Sequence, residues 1–532
     1  MNRTKEELLL ELERQSSQFQ LEKAALSSQI AELKESNESL TSLILFLRRQ
    51  KYIPKNESLS TEQISLFNEA EKDFKVYSDS DDSADDQMTI RSHEINVGQI
   101  VNKVKTGRKP LPSNINREDV IIDLTEVEKI CVHDGSILKK IGEEVSERLK
   151  IIPLQMRVIR TIRYKYACSC CDSGNKIAEV PKTLIPQSIS TPETLAFIAI
   201  SKYEDALPLY RIENILDRND VSISRGTLAH WMIKRAEASS PLINLMRDDL
   251  LSSNYLHMDE TTVQVLDEKD RKSSSKSYMW VQLSTNDKKK LVLSNYDPSR
   301  SGKTAKNLLD GFCGYLQVDG YSGYNFTQDQ ESKIHRVSCL AHIRRKFKVI
   351  FDDKKLRTPY VVEIINLIRK IYDEHSKMGH DPSTESEKVI LYKKKYVLPH
   401  LEKLKSLIDS KYGNVPPKTF LGEALTYAHN ELPHLLKHYA EIAELRLDNN
   451  LVENAIRPFA VGRKNWLFSQ SVDGAEASSI LYSLVESAKL NNLDSFRYLQ
   501  LIFKELPFCE TITDFEKLLP YNIDSTLLRT LN

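Results

Sequence analysis

Tyr255-Leu-His-Met-Asp-Glu-Thr-Thr-Val-Gln-Val-Leu266 carries apolar residues at Leu256 and Met258 and again at Val263 and Val265, the pattern of a strand pair or one long bent strand. Asp259 stands inside that pattern. An ionised carboxylate in an otherwise apolar strand is costly to bury unless a cation or hydrogen bonds compensate it. Glu260, one residue on, falls on the opposite sheet face by the two-residue period and is expected to matter far less. Further along, the same signals predict strands over residues 278–284 and 291–296 and a helix over 302–312. A fourth strand over 315–319 ends on Asp319, and a fifth over 334–339 leads into a helix carrying His342, Arg344 and Arg345.

Three strands, a helix, a strand and another helical unit is the order of the ribonuclease-H-like fold, whose first and fourth strands each bring an aspartate to neighbouring positions. Asp259 and Asp319 fall there. Taken singly, Asp259 also reads as a strand-end cap and Asp319, before Gly320, as a turn residue; side by side they repel, and a divalent cation removes the repulsion. A third acid is offered by Asp448-Asn-Asn-Leu-Val-Glu453-Asn-Ala-Ile-Arg457-Pro458, where Glu453 and Arg457 share one helical face. As an exposed ion pair these two contribute only about 0.3–0.5 kcal/mol. The fold class expected is therefore multidomain α/β, with a core in residues 250–348 and 445–490, a helical insertion over 349–444 and a helical tail over 491–532. Within the insertion, helices are expected over 361–372, 387–404 and 420–429.

Upstream of the core, Leu12, Phe19, Leu26, Leu33, Leu40 and Leu47 recur every seven residues, so residues 1–50 are expected to form a coiled coil that makes a homodimer or higher oligomer. Asn37, at an a position, favours a parallel dimer in one register. Residues 51–117 turn acidic and then basic and proline-punctuated, as a linker does. Residues 118–182 carry Cys131, His133 and Asp134, then Cys168, Cys170 and Cys171. Two knuckles joined by strands suit a zinc ribbon, with Cys168 and Cys171 in the second and Cys131 plus His133 or Asp134 in the first; a ribbon without metal has the same pattern. Residues 190–240 have helix-turn-helix spacing, with helices over 209–218 and 224–235 and Ser224 as N-cap of the second. That second helix would turn Arg225, Thr227, His230 and Lys234 to a DNA groove while Leu228 and Trp231 pack inward, although a purely structural hairpin is common too.

Lysine plus arginine and aspartate plus glutamate both total 75 in 532 residues, so no net field draws the whole chain to nucleic acid; the acidic excess lies in the first hundred residues and the basic excess beyond them. Seven cysteines, three of them nearly adjacent, do not make a secreted disulfide framework. With a charged N-terminus and no apolar run near 18 residues, the expectation is a cytoplasmic protein, nucleoid-associated when on DNA, with no membrane.

Cys131-Val-His-Asp-Gly135, Lys202-Tyr-Glu-Asp-Ala-Leu-Pro-Leu-Tyr-Arg211, His257-Met-Asp-Glu-Thr261, Val318-Asp-Gly-Tyr-Ser-Gly-Tyr324, Cys339-Leu-Ala-His-Ile-Arg-Arg-Lys-Phe347, Asp448 to Phe468 and Leu518-Leu-Pro-Tyr-Asn522 together resemble transposases of the insertion-sequence-66 type, a DDE enzyme family. The resemblance implies that Asp259, Asp319 and Glu453 are the DDE triad, and that zipper, ribbon and helix-turn-helix serve dimerisation and recognition of terminal inverted repeats. It also implies accessory proteins of the same element. The chain departs from the family at Asp134, where members often complete a cysteine pair, and at Leu340, often tryptophan. The chemistry implied is cleavage and strand transfer with two magnesium (or manganese) ions about 3.5–4 Å apart, while His342, Arg344, Arg345, Arg457, Arg463 and Lys464 neutralise phosphates. The rivals are a non-catalytic DNA-binding regulator and a metal-dependent nuclease of the same fold. A thiol nucleophile at Cys339 is disfavoured against a buried structural cysteine.

Overall fold

A computed structural model describes residues 156–166, 176–177, 185, 188–285, 289–329, 331–524 and 528. The expected coiled coil of residues 1–50, the linker of 51–117 and the ribbon ligands Cys131, His133, Cys168 and Cys171 lie outside the described residues. Two bodies are present. One contains the short strands β1 (Lys165–Tyr166) and β2 (Lys176–Ile177), paired antiparallel.

Among the described residues, the first helix of the second body is α1 (Pro192–Tyr203), followed by α2 (Leu209–Asp217) and α3 (Arg225–Leu251). Ser224 caps α3, its hydroxyl accepting from the Thr227 N–H at 3.3 Å. Helix α3 runs well past the expected end at residue 235, through Pro241. A proline here removes one backbone donor; the buried stripe of Trp231, Met232, Leu242, Met246 and Leu250 carries the helix on regardless.

A mixed sheet forms the centre, in the order β5 (Leu291–Asp297), β4 (Lys276–Ser284), β3 (Tyr255–Asp267), β6 (Gly314–Val318), β7 (Ile334–Ser338). The stretch around Asp259 is one long strand, β3 (Tyr255–Asp267), antiparallel to β4 (Lys276–Ser284), which is antiparallel to β5 (Leu291–Asp297). On the other side β6 (Gly314–Val318) lies parallel to β3, and β7 (Ile334–Ser338) parallel to β6. Between β5 and β6, helix α4 (Gly302–Leu308) ends earlier than expected, because Leu309 leaves the helical backbone and Gly311 turns the chain at φ 87°.

Helix α5 (Leu340–Asp352) leads into the insertion: α6 (Pro359–Ser376), α7 (Ser386–Tyr392), α8 (Leu398–Lys411) and α9 (Phe420–His438). The single helix expected over 387–404 is broken by a π-helical turn, Lys393–Val397. Pro399 cannot supply the N–H that an α ladder needs there, and the wider turn sends the buried Lys393 ammonium to the carbonyls of Ile442, Ala443 and Leu445 at 3.2, 2.7 and 2.6 Å. The insertion has its own apolar core, which also takes in Val337, Leu340, Ile343 and Phe347 from β7 and α5.

The chain then returns to the sheet through α10 (Asn450–Trp466), the short β8 (Ser469–Ser471), parallel to the end of β3, and α11 (Val472–Leu490), with α12 (Ser495–Glu505) and α13 (Ile512–Glu516) completing the body. Helix α11 lies along the edge strand β5. Its buried Ser483 and Ser487 hydroxyls accept from the backbone N–H groups of Ser294 and Val292, and Ser487 donates to the Val292 carbonyl.

Candidate active site

Asp259 sits on β3, paired with Val281 of β4. Asp319 follows the last residue of the neighbouring β6, where its carboxylate accepts from the Tyr321 N–H at 2.9 Å. Glu453 lies in the first turn of α10, a position that favours a negative charge, and is only 3% exposed. Three distant segments thus bring their carboxylates together. Burial raises the Asp259 carboxyl well above the usual range, and repulsion from Asp319, Glu260 and Glu453 adds to it. Asp319 is raised by burial as well, against the Tyr321 N–H and the charges of Arg300 and Arg336.

Asn449, just before α10, locks the Glu453 helix to the Asp259 strand. Its side-chain amide donates to the Met258 carbonyl at 3.1 Å, its Oδ1 lies 2.8 Å from Nδ1 of the buried His257, and its backbone N–H reaches Cys339 Sγ at 3.2 Å. Because Oδ1 can only accept, the His257 proton sits on Nδ1. Burial pushes the His257 pKa down to about 3, so the ring is neutral.

The residues expected at phosphates have these surroundings within the protein. His342 Nδ1 lies 3.7 Å from Glu453, and burial together with Arg345 and Lys346 lowers its pKa to about 3. A neutral imidazole can meet a phosphate only as a hydrogen-bond donor, not as a cation. Arg345 lies 3.9 Å from the Glu453 carboxylate and so faces the acids. Arg463 turns inward, donating to the Thr262 carbonyl and the Thr262 hydroxyl of β3, and pins α10 to the sheet. Arg344 lies over the Tyr372 ring of the insertion, 6.0 Å from its centroid. Lys464 is exposed and Arg457 half-buried. On α3, Arg225, Thr227, His230 and Lys234 are exposed while Leu228 and Trp231 are buried. Cys339 is buried, with its thiol pushed up by that burial. Its sulfur, a His342 nitrogen and a Glu453 oxygen lie within 4.8 Å of one another, the one grouping of possible metal ligands of this kind among the described residues.

Glu260 does not stand apart from the acids as the strand period suggested. Its side chain is 1% exposed, bound by Arg300 and by the Tyr324 hydroxyl at 2.8 Å, and it is near enough to Asp319 for their charges to interact. Arg300, Tyr324, His257 and Asn449 were given no role from the sequence; His257, Tyr324 and Asn449 stand within the family-like runs, and Arg300 in none of them.

The DDE-domain model of the Transposase IS66 family matches residues 187–477, more than half of the chain, which places the protein in the DDE class of transposases. The chain belongs to the IS66 transposase family. The zinc-finger binding domain of that family matches residues 128–172, and its C-terminal element residues 483–521. The uncharacterized protein y4jD of Sinorhizobium fredii is 30% identical over 425 residues, covering 77% of this chain and 81% of its own length. A second protein of that organism, y4qI, is 28% identical over 94% of this chain and 93% of its own. No helix among the described residues is long and apolar enough to cross a membrane.

Proposed function

We propose that this transposase binds the terminal inverted repeats of its element, cleaves the DNA at the 3′ ends and joins those ends to target DNA, with Asp259, Asp319 and Glu453 as its DDE triad. The observation that carries the reading is the convergence of these carboxylates at one place, Glu453 buried and Asp259 and Asp319 half-buried, near enough that the charges of the other two raise the Asp259 carboxyl. The sheet order supports it, since it is the order that the ribonuclease-H-like expectation requires of β3 and β6. Buried like charges that repel fit a hard divalent cation, for which carboxylate oxygens are the natural donors. Magnesium or manganese held by the three acids would lower the pKa of the attacking water or hydroxyl and stabilise the leaving oxygen.

The chain's own residues do the rest. Asn449 holds α10 against β3, so the spacing between Glu453 and Asp259 is fixed before DNA arrives. Neutral His257 and His342 add no competing positive charge. Exposed Arg225, His230 and Lys234 on α3, and Lys464 and Arg457 on α10, are the DNA contacts in this reading. Cys131, His133, Cys168 and Cys171 are the proposed zinc ligands within the matched zinc-finger region, and residues 1–50 the oligomerisation element, with accessory proteins of the element as further partners.

The test is incubation of the purified chain with magnesium and the DNA flanking its own gene, followed by mapping of cut ends and of joining to a second duplex. Specific 3′-end cuts and joining of a pre-cleaved end are expected; cutting without joining would leave a nuclease. Glu453→Gln, which keeps shape and removes charge, should lose cleavage and keep repeat binding. Full activity in that variant would move the third ligand to Asp448.

A further inference from the structure

The turn between β5 and α4 delivers one cation to the acid site. Arg300 Nε donates to Glu260 Oε1 at 2.6 Å, and its Nη2 lies 2.5 Å from the same oxygen. The other Glu260 oxygen accepts from Tyr324. The guanidinium lies over the Tyr321 ring, 4.1 Å from the centroid, and the Tyr321 hydroxyl donates back to the Arg300 carbonyl. Tyr321 is also the residue whose N–H holds Asp319.

Both loops are fixed. Asp297 accepts from the Ser299 N–H at 2.7 Å, and the Trp280 indole donates to the Ser299 carbonyl at 3.2 Å. A side chain at Gly302 would place its Cβ 2.6 Å from the Gly323 carbonyl oxygen, so the two turns touch where only glycine fits. The Asp-Gly-Tyr-Ser-Gly-Tyr run from residue 319 therefore does more than supply one acid: its tyrosines and second glycine seat Arg300.

Glu260 is fully buried at its side chain, yet the arginine it binds remains 42% exposed. Of the five N–H donors of a guanidinium, those on Nε and Nη2 face Glu260, which leaves donors for a ligand. The buried Glu260 needs a cation to offset its desolvation, but a fully buried arginine would meet that need; Arg300 instead keeps part of its guanidinium open to solvent beside the clustered acids. We propose that Arg300 is a phosphate-binding residue of this site, contacting the phosphate next to the scissile one on the strand brought to Asp259 and Asp319, and that Glu260 is its positioning residue. Planar, paired donors suit a phosphodiester. The inference rests on the function proposed above.

The experiment uses the full chain and a duplex of its own terminal repeat carrying a single neutral methylphosphonate at successive positions near the cut. Arg300→Ala should weaken binding in EDTA by about tenfold to a hundredfold and flatten the log–log salt slope by about 0.9. Arg300→Lys should keep the slope. At one position the methylphosphonate should weaken the wild type and leave Arg300→Ala unaffected. Glu260→Gln should raise the DNA concentration needed for half-maximal cleavage more than it lowers the maximal rate. If each methylphosphonate penalises both proteins equally, or Arg300→Ala keeps the wild-type salt slope, the proposal is overturned. A wild type that binds its ends but never cuts them would defeat the functional reading, while the salt slope and methylphosphonate scan would still decide Arg300.

Discussion

Asp259 was legible in the sequence because a carboxylate broke an apolar alternation, and Asp319 because it closed a strand before a glycine. Arg300 was not, since its partner lies forty positions away across two turns that only the folded chain brings together. The neutrality of His342 was hidden for another reason: its largest cause is burial, which only the fold supplies, although Arg345 and Lys346 add to it from the same helix. The placement of Asp259 carries its own consequence. A buried acid surrounded by Asp319, Glu260 and Glu453 destabilises the metal-free fold, so Asp259→Asn should abolish cleavage and raise stability in EDTA. Relief of that repulsion is worth about 1.4 kcal/mol for each unit by which the pKa is raised, and scanning calorimetry should register it as a higher melting point. Magnesium should raise the melting point of the wild type and do little for the variant. A lower melting point in EDTA would mean that the carboxylate is needed to hold the fold itself.

At the scale of the element, strands were easier to read than helix ends. The five core strands fall within a residue or two of expectation, because their apolar alternation faces a core on at least one side. Helix α3 outran its expected end because packing outweighed Pro241, and the π turn at Lys393 was invisible because its acceptors lie about fifty residues further on. That turn makes a pH prediction. Burial lowers the Lys393 pKa from its ordinary value of 10.5 to about 7. Between these values the unfolded chain binds the proton and the folded chain releases it, so stability attributable to this group rises with pH from about 7 to about 10.5. Lys393→Met should remove that rise in urea titrations across the range, and should cost about 1–3 kcal/mol at pH 7 by leaving carbonyls unpaired. On α3, where Arg225 and Lys234 are exposed, replacing both with alanine should lower the salt slope of repeat binding by up to about 1.8. An unchanged slope would move end recognition to another element.

For the whole molecule, the sheet and the insertion have separate apolar cores, yet the chain segment joining them is held from both sides. Lys393 grips residues 442–445, while Gln317 donates to the Arg446 carbonyl and the Leu340 N–H to the Leu447 carbonyl. This was not readable in the sequence, where the insertion showed as distance between Asp319 and Glu453 and as three helical patterns, without the partners that tie it to the sheet. The opposite flank of the sheet has a consequence of another kind. An open strand edge is a template on which a second copy can add, and proteins that leave one bare tend to aggregate. Here the β5 edge is stoppered by two hydroxyls of α11, each reaching a backbone N–H. Ser483→Val with Ser487→Val should leave the acids untouched and still be harmful: light scattering at rising concentration should increase, and soluble yield should fall, before any loss appears in cleavage per soluble molecule. Two serines far from the chemistry are thus expected to limit the concentration at which the protein stays in solution.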